Sequence, residues 1–170
     1  ATEDLNTVYN DTAPTSSVFT LGSNGDVNTD GRTQVAYVFA EVEGFSKFGN
    51  YVVNASDDGP FVFLGFKPAF ILIKNIDTDT RNWVIMDDKR TGVGEPTQNI
   101  NPVISQLKAN TTDKEFDSVS YPLIDILSNG FKVRIGGSDS GVARNLNRVT
   151  GDRVIYMAFA SVPFKYANAK

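Results

Sequence analysis

A partial internal repeat constrains this chain more than any other feature. Gly31 followed by Val35-Ala36-Tyr37-Val38-Phe39-Ala40-Glu41-Val42 returns as Gly151 followed by Ile155-Tyr156-Met157-Ala158-Phe159-Ala160-Ser161-Val162, with identities at the glycine, the Phe-Ala pair and the last valine. Upstream, Val18-Phe19-Thr20-Leu21-Gly22-Ser23-Asn24 parallels Val133-Arg134-Ile135-Gly136-Gly137-Ser138-Asp139. The two matches are spaced by 120 and 115 residues, so the loop between them differs by five. Loop and strand recurring together predict one duplicated building unit. What precedes Val133 has no counterpart before Val18, which divides the chain into residues 1–46, the C-terminal part of a first module, and residues 47–170, a nearly complete second. A tail alone has too few strands to cover its apolar face. It is expected to pack on the second module or on a partner.

With 170 residues, 41% hydrophobic and 21% charged, the chain has the composition of a folded globular protein, which argues against disorder. Acidic residues outnumber basic ones by 20 to 16, and the basic residues occur singly rather than in a stripe that could follow a phosphate backbone. Nucleic acid is therefore not an expected partner. The absence of cysteine excludes disulfide staples and a thiolate nucleophile and leaves the redox compartment open. The longest apolar run, Val154 to Ala160, is far short of a bilayer span, and Ala1 opens no basic-then-apolar signal segment, so no membrane insertion is expected.

Period-two and β-branched runs predict strands over Ser17 to Leu21, Gln34 to Val42, Gly49 to Val53, Phe61 to Leu64, Phe70 to Ile76, Trp83 to Asp87, Leu123 to Ile126, Phe131 to Ile135 and Arg153 to Ala160. Turn chemistry separates them at Asn24-Gly25, Asp30-Gly31, Asp58-Gly59-Pro60, Asn129-Gly130 and Thr150-Gly151-Asp152, with Asn129-Gly130 the sharpest hairpin signal. Pro68 can open a buried, central strand, because proline at a first strand position leaves the ladder intact. Residues Asn101 to Asn110 read as one short helix with Pro102 near its start. Many closely spaced strands and hardly any helix predict an all-β antiparallel β-sandwich built from one partial and one nearly complete module, with a curled barrel as the alternative.

Several blocks carry a family resemblance. Tyr37 to Gly49, Asp58-Gly59-Pro60-Phe61-Val62, Gly65-Phe66-Lys67-Pro68-Ala69-Phe70-Ile71-Leu72-Ile73-Lys74, Leu127-Ser128-Asn129-Gly130-Phe131-Lys132-Val133 and Ile155 to Lys165 resemble an uncharacterised domain family of bacteriophage structural proteins, frequent in marine phages. Members of that family often carry the domain in tandem repeat, sometimes after a concanavalin-like lectin domain, in fibre-like virion proteins. The resemblance runs from about Asp11 to Lys165 and implies a virion structural protein, such as a tail fibre or capsid decoration. It carries over no catalytic residues. Tyr51-Val52-Val53-Asn54 stands where the family has a Gly-rich segment, and Ser161-Val162-Pro163 where it often has Glu-His-Pro. The second departure removes the family's common histidine.

With neither histidine nor cysteine, hydroxyl nucleophiles lack an imidazole base and the nitrogen and sulfur ligands of ordinary zinc sites are missing. Carboxylate pairs could still run glycoside hydrolysis, and Asp87-Asp88 with Glu95 is the best local set. Adjacent strand residues point to opposite faces, however, which is poor geometry for a dyad. No catalytic residue, and hence no enzyme, is expected. Asp26-Val27-Asn28-Thr29-Asp30-Gly31 begins like a calcium loop, with oxygen-bearing side chains at Asp26, Asn28 and Asp30 and a glycine sixth. Its twelfth position is Tyr37 rather than a bidentate glutamate, so a plain Asx-rich turn competes with calcium as the reading.

Tyr9, Tyr51, Trp83, Tyr121 and Tyr166 are the aromatics that could offer stacking faces to sugar rings. Trp83 alternates with Ile85 and is expected toward the core or the partner module, and Phe19, Phe39, Phe61, Phe63, Phe70, Phe131 and Phe159 are expected in the two apolar layers. Tyr51 and Tyr121 remain the candidate ligand-binding pair. The expected role is structural, by assembly within a virion, and the alternative is a carbohydrate-binding module for host attachment. Expected partners are other virion proteins and further copies of the chain, a homo-oligomer that is trimeric in a fibre, with a host surface glycan under the alternative.

Overall fold

The computed structural model describes residues 6–90, 101–117, 121–134 and 143–161. Two compact units divide the chain, residues 1–39 and residues 40–170. Among the described residues the second holds nine strands: β1 (Ser46–Val52), β2 (Phe61–Phe63), β3 (Pro68–Asn75), β4 (Val84–Asp87), β5 (Ser105–Lys108), β6 (Phe116–Asp117), β7 (Ile124–Leu127), β8 (Gly130–Val133) and β9 (Arg153–Ala160). They pair antiparallel in a six-stranded sheet of order β1-β9-β3-β4-β5-β6 and a three-stranded sheet of order β2-β8-β7. The fold is all-β and sandwich-like.

Alternation places the core between the sheets. Tyr51, Ile71, Ile73, Val84, Met86, Val154, Tyr156 and Ala158 of the larger sheet and Val62, Ile124, Ile126, Phe131 and Val133 of the smaller are buried in one cluster. Phe131 meets the edges of Tyr51 and Tyr156 at centroid distances of 6.2 and 5.8 Å, the T-shaped geometry that aromatic quadrupoles prefer. On the outer face of the larger sheet Phe159 gathers Phe45, Phe48 and Phe70 at 6.0, 5.9 and 6.1 Å. Phe159 is thus half-buried in an outer aromatic group, not in the inner core.

Pro68 opens β3, which is bonded to β9 on one side and β4 on the other, as a first-position proline permits. β7 and β8 form the expected hairpin, with Leu127 paired to Gly130 across Ser128 and Asn129. Gly130 is required there for space. A Cβ on it would lie 2.0 Å from the carbonyl oxygen of Val62 in the adjoining β2.

Three expectations are corrected. Residues 101–110 form no helix: Val103 exchanges backbone bonds with Leu123 and Ile124, and β5 pairs with β4 and β6, so tertiary ladders take the groups a helix would have bonded internally. Phe61 and Phe63 are 47% and 57% exposed, because Val62 and Leu64 hold the inward parity of that run. Ser17 to Leu21 and Gln34 to Val42 form no strand; Val42 alone makes an isolated bridge, to Ser46. A strand exists only where a neighbour completes its ladder, and residues 6–39 contain a four-residue helix, α1 (Asn6–Tyr9), with turns and extended chain.

A similar turn precedes both of the matched sequence segments. Arg32 N–H donates to the Thr29 carbonyl at 3.2 Å, and Asp152 N–H donates to the Val149 carbonyl at 3.1 Å. Gly31 and Gly151, each third in its turn, have φ of 72° and 95°, the left-handed position that glycine fills without strain. Only the second turn leads into a paired strand. Among the described residues, no helix is long and apolar enough to cross a membrane.

Candidate functional site

The aromatic candidates part company. Tyr51 is 6% exposed, its hydroxyl donates to the Leu146 carbonyl at 2.9 Å, and burial pushes its phenol pKa well above the ordinary value. Its ring face is spent on the core, which corrects its reading as a surface stacking residue; its place on the inward parity of β1 is the reason. Tyr121 is 37% exposed and Trp83 38%, so of the two places expected for Trp83 the core is not the one it takes. Beside the Trp83 ring, the Trp83 backbone N–H donates to Asn110 Oδ1 at 2.9 Å, and Asn110 Nδ2 donates to Asn82 Oδ1 at 3.1 Å. Tyr9 is 53% exposed on α1, and Tyr166 lies outside the described residues.

The acidic candidates serve local structure. Asp87 Oδ1 accepts the N–H groups of Lys89 and Arg90, both at 2.9 Å, and its Oδ2 pairs with Arg90 Nε at 3.0 Å. Asp88 pairs with Lys89 at 3.4 Å, and Glu95 lies outside the described residues. In the calcium-like loop Asp26 N–H donates to Asn24 Oδ1 at 2.7 Å and Asn28 Nδ2 to the Gly22 carbonyl at 2.9 Å, while Asp26, Asn28 and Asp30 are all exposed. These are the bonds of an Asx-rich turn. Among the described residues no group of three or more carboxylates is gathered to hold a metal ion.

Buried amides that sequence reasoning missed fasten the loops. Asn147 Oδ1 accepts from the N–H groups of Asn54 and Ala55 at 3.0 and 3.3 Å, and its Nδ2 donates to Asn54 Oδ1 and the Ser56 carbonyl at 3.0 and 2.8 Å. Arg153 forks onto Asp77 with Nε to Oδ2 at 3.0 Å and Nη2 to Oδ1 at 2.8 Å, and adds its backbone N–H to Oδ2 at 2.8 Å. Those bonds hold the Asp77 carboxyl down to about 2. Neighbouring Asp152 accepts from Asn75 and Thr78 at 2.9 and 2.6 Å, so the entry of β9 is tied to the exit of β3.

What stands unsatisfied is an apolar arm and a sheet edge. Val35, Tyr37 and Val38 are 73%, 83% and 74% exposed, and residues 33–38 form no hydrogen bond with another described residue. Within the first unit Tyr37 shares an open cleft of about 1120 Å³ with Tyr9, Phe19, Leu21 and Asp26. In the second unit β1 is an edge strand. Phe45 and Val53 bond toward β9, through Ala160 N–H to the Phe45 carbonyl and Val53 N–H to the Asp152 carbonyl, both at 2.8 Å. Antiparallel alternation then aims the backbone groups of Ser46, Phe48, Asn50 and Val52 the other way. Val42 bonds Ser46, and the Glu41 carboxylate takes the Phe48 N–H at 3.0 Å. Asn50 and Val52 have no such partner among the described residues, and Val52 is 56% exposed. Lys47 Nζ lies 5.4 Å from the Phe63 ring centroid and donates to the Phe63 carbonyl at 3.1 Å, which sets exposed Phe63 beside this edge.

No curated protein and no solved structure matches the chain. Residues 1–163 match the model of a family described as a domain of unknown function, DUF7483, in a single stretch that takes in both the arm and the two sheets. The chain belongs to the DUF7483 family.

Proposed function

We propose that this domain is a structural module of a phage virion appendage, a fibre or a capsid decoration, that acts by assembly and not by catalysis. The observation that supports the reading is a shared turn and sequence match: a hydrogen-bonded turn with a left-handed glycine at Gly31 and at Gly151, each followed by a segment with Phe-Ala, only one of which lies in a sheet. A strand sequence left without its sheet fits a protein that completes itself on a neighbour. On this reading residues 1–46 are the closing part of one module and residues 47–170 most of the next. Further copies and other virion proteins are its partners, with three-fold association in a fibre. Mass spectrometry of density-purified particles from a phage that encodes the chain is expected to recover its peptides at structural-protein abundance. Recovery from the particle-free lysate alone would refute it.

Exposed Trp83, with the amides of Asn82 and Asn110 beside it, favours a second reading as a carbohydrate-binding module for host attachment. Many copies on one appendage would turn weak stacking into useful avidity. Screened on a glycan array as the purified oligomer, the protein is then expected to bind, and Trp83→Ala or Tyr121→Ala to lose binding. Binding unchanged in both variants would remove this reading.

A further inference from the structure

We propose that residues 33–38 are a donor strand that adds to the open edge of β1 in a second copy of this chain; the inference rests on the assembly reading above and names the contact that assembly would use. Three independent observations converge on it. The arm leads into the segment that parallels β9, apolar at the matching positions and identical at the Phe-Ala pair, and β9 is bonded on both sides in the sheet and pairs antiparallel with β1. Its backbone between residues 33 and 38 is unbonded among the described residues while its apolar side chains are mostly exposed, so a strand-competent segment stands without a ladder. The β1 edge lacks a partner at Asn50 and Val52 and is flanked by exposed Val52 and Phe63. The apolar arm matches Val52 and Phe63 at the edge in character, and an open edge accepts an added strand through main-chain bonds.

The occupant is a second copy because, within the second unit, the hairpin that runs back from β1 is stopped at its first rung. Val42 and Ser46 exchange backbone bonds at 3.2 and 2.9 Å, but the next rung is capped. Ser46 Oγ donates to the Ala40 carbonyl at 2.8 Å, and Glu41 Oε1 accepts the Phe48 N–H, so the groups that would extend the hairpin are held by side chains. An arm arriving from another copy does not pass through that turn and meets Asn50 and Val52 directly. Each copy carries one arm and one edge, and the single family match spans both. Donation is therefore a head-to-tail contact, which closes where the rotation per copy suits a ring, as in the three-fold ring of a fibre.

The test uses the full chain. Sedimentation of the wild type is expected to show a rise in mass with concentration, with slowed amide exchange at residues 33–38, Asn50 and Val52 in the associated form. Val38→Pro removes an N–H and fixes φ away from the antiparallel value at an exposed position outside the sheets, and is expected to leave cooperative unfolding intact and the mass monomeric. Because the chain has no cysteine, a Val38→Cys/Asn50→Cys double variant reports the contact directly, and its oxidation is expected to give disulfide-linked multimers. A monomeric mass at every concentration would overturn the proposal, as would association undiminished in Val38→Pro or a disulfide formed only within one chain. An arm that exchanges in solution while the chain is missing from particles would leave this contact standing and remove the virion reading; the reverse pattern would do the opposite.

Discussion

Phe131 and Phe159 show how the same side chain acquires different weight from its surroundings. Phe131 is 1% exposed between Tyr51 and Tyr156. Its truncation to Ala is expected to cost about 3 to 5 kcal/mol in urea unfolding, from lost transfer and an unfilled cavity. Phe159→Ala, on the half-buried outer face, is expected to cost less, and equal losses would show that the outer aromatic group is as sealed as the inner one. Tyr51→Phe keeps the ring and deletes the bond to the Leu146 carbonyl, for a loss of about 1 kcal/mol. Asp77 supplies a pH signature. Its carboxyl falls from 3.8 to about 2 on folding through the bonds from Arg153, so what it contributes is fully present above about pH 4 and is lost as the pH drops through about 2. Melting curves of wild type and Asp77→Asn are expected to converge over that interval; a constant offset down to pH 2 would show that the fork does not form.

At the level of elements, glycines that look alike in sequence do different work. Gly151 has open space where a Cβ would stand and a φ of 95°, so Gly151→Ala is expected to cost about 1 to 2 kcal/mol from backbone strain alone. Gly130→Ala instead drives a methyl into the β2 backbone, and is expected to disrupt the smaller sheet outright, seen as a larger fall in melting temperature than for Gly151→Ala. Asn129-Gly130 was legible as a hairpin from its turn chemistry, but the close approach of Val62 was not, since it comes from a strand far away in sequence. β9 was legible to the residue, and Pro68 correctly marked a central strand, because long β-branched runs carry their own signal. β5 and β6 were missed: Ser105 and Gln106 lack an apolar pattern, and it is their neighbours that make them strands. The Gln34 to Val42 run failed in the opposite sense, having the pattern without the neighbours. Of the candidate site, Tyr51 misled because one residue of register separates a surface ring from a core ring. The β1 edge was invisible because an edge is a property of sheet order.

For the whole molecule, protection against exchange is expected to be strongly uneven. Amides of Ile71 and Ile73, buried in the bonded centre of the six-stranded sheet, should exchange only through global unfolding, while those of residues 33–38 should exchange at nearly intrinsic rates in dilute protein. Protection of the arm at low concentration would mean that it is bonded within a single chain. The seat of β9 between β1 and β3 has a further effect, on the order of events in folding. β1 spans residues 46–52 and β3 residues 68–75, yet the strand that joins them is residues 153–160. The larger sheet cannot close until a segment some hundred residues downstream has been synthesised and has found its slot, a loop closure whose entropy must be met before most of the ladder forms. Until then the facing edges of β1 and β3 lie open to any strand of the right pattern, and nascent chains crowded on one message are at their most vulnerable to mispairing during that interval.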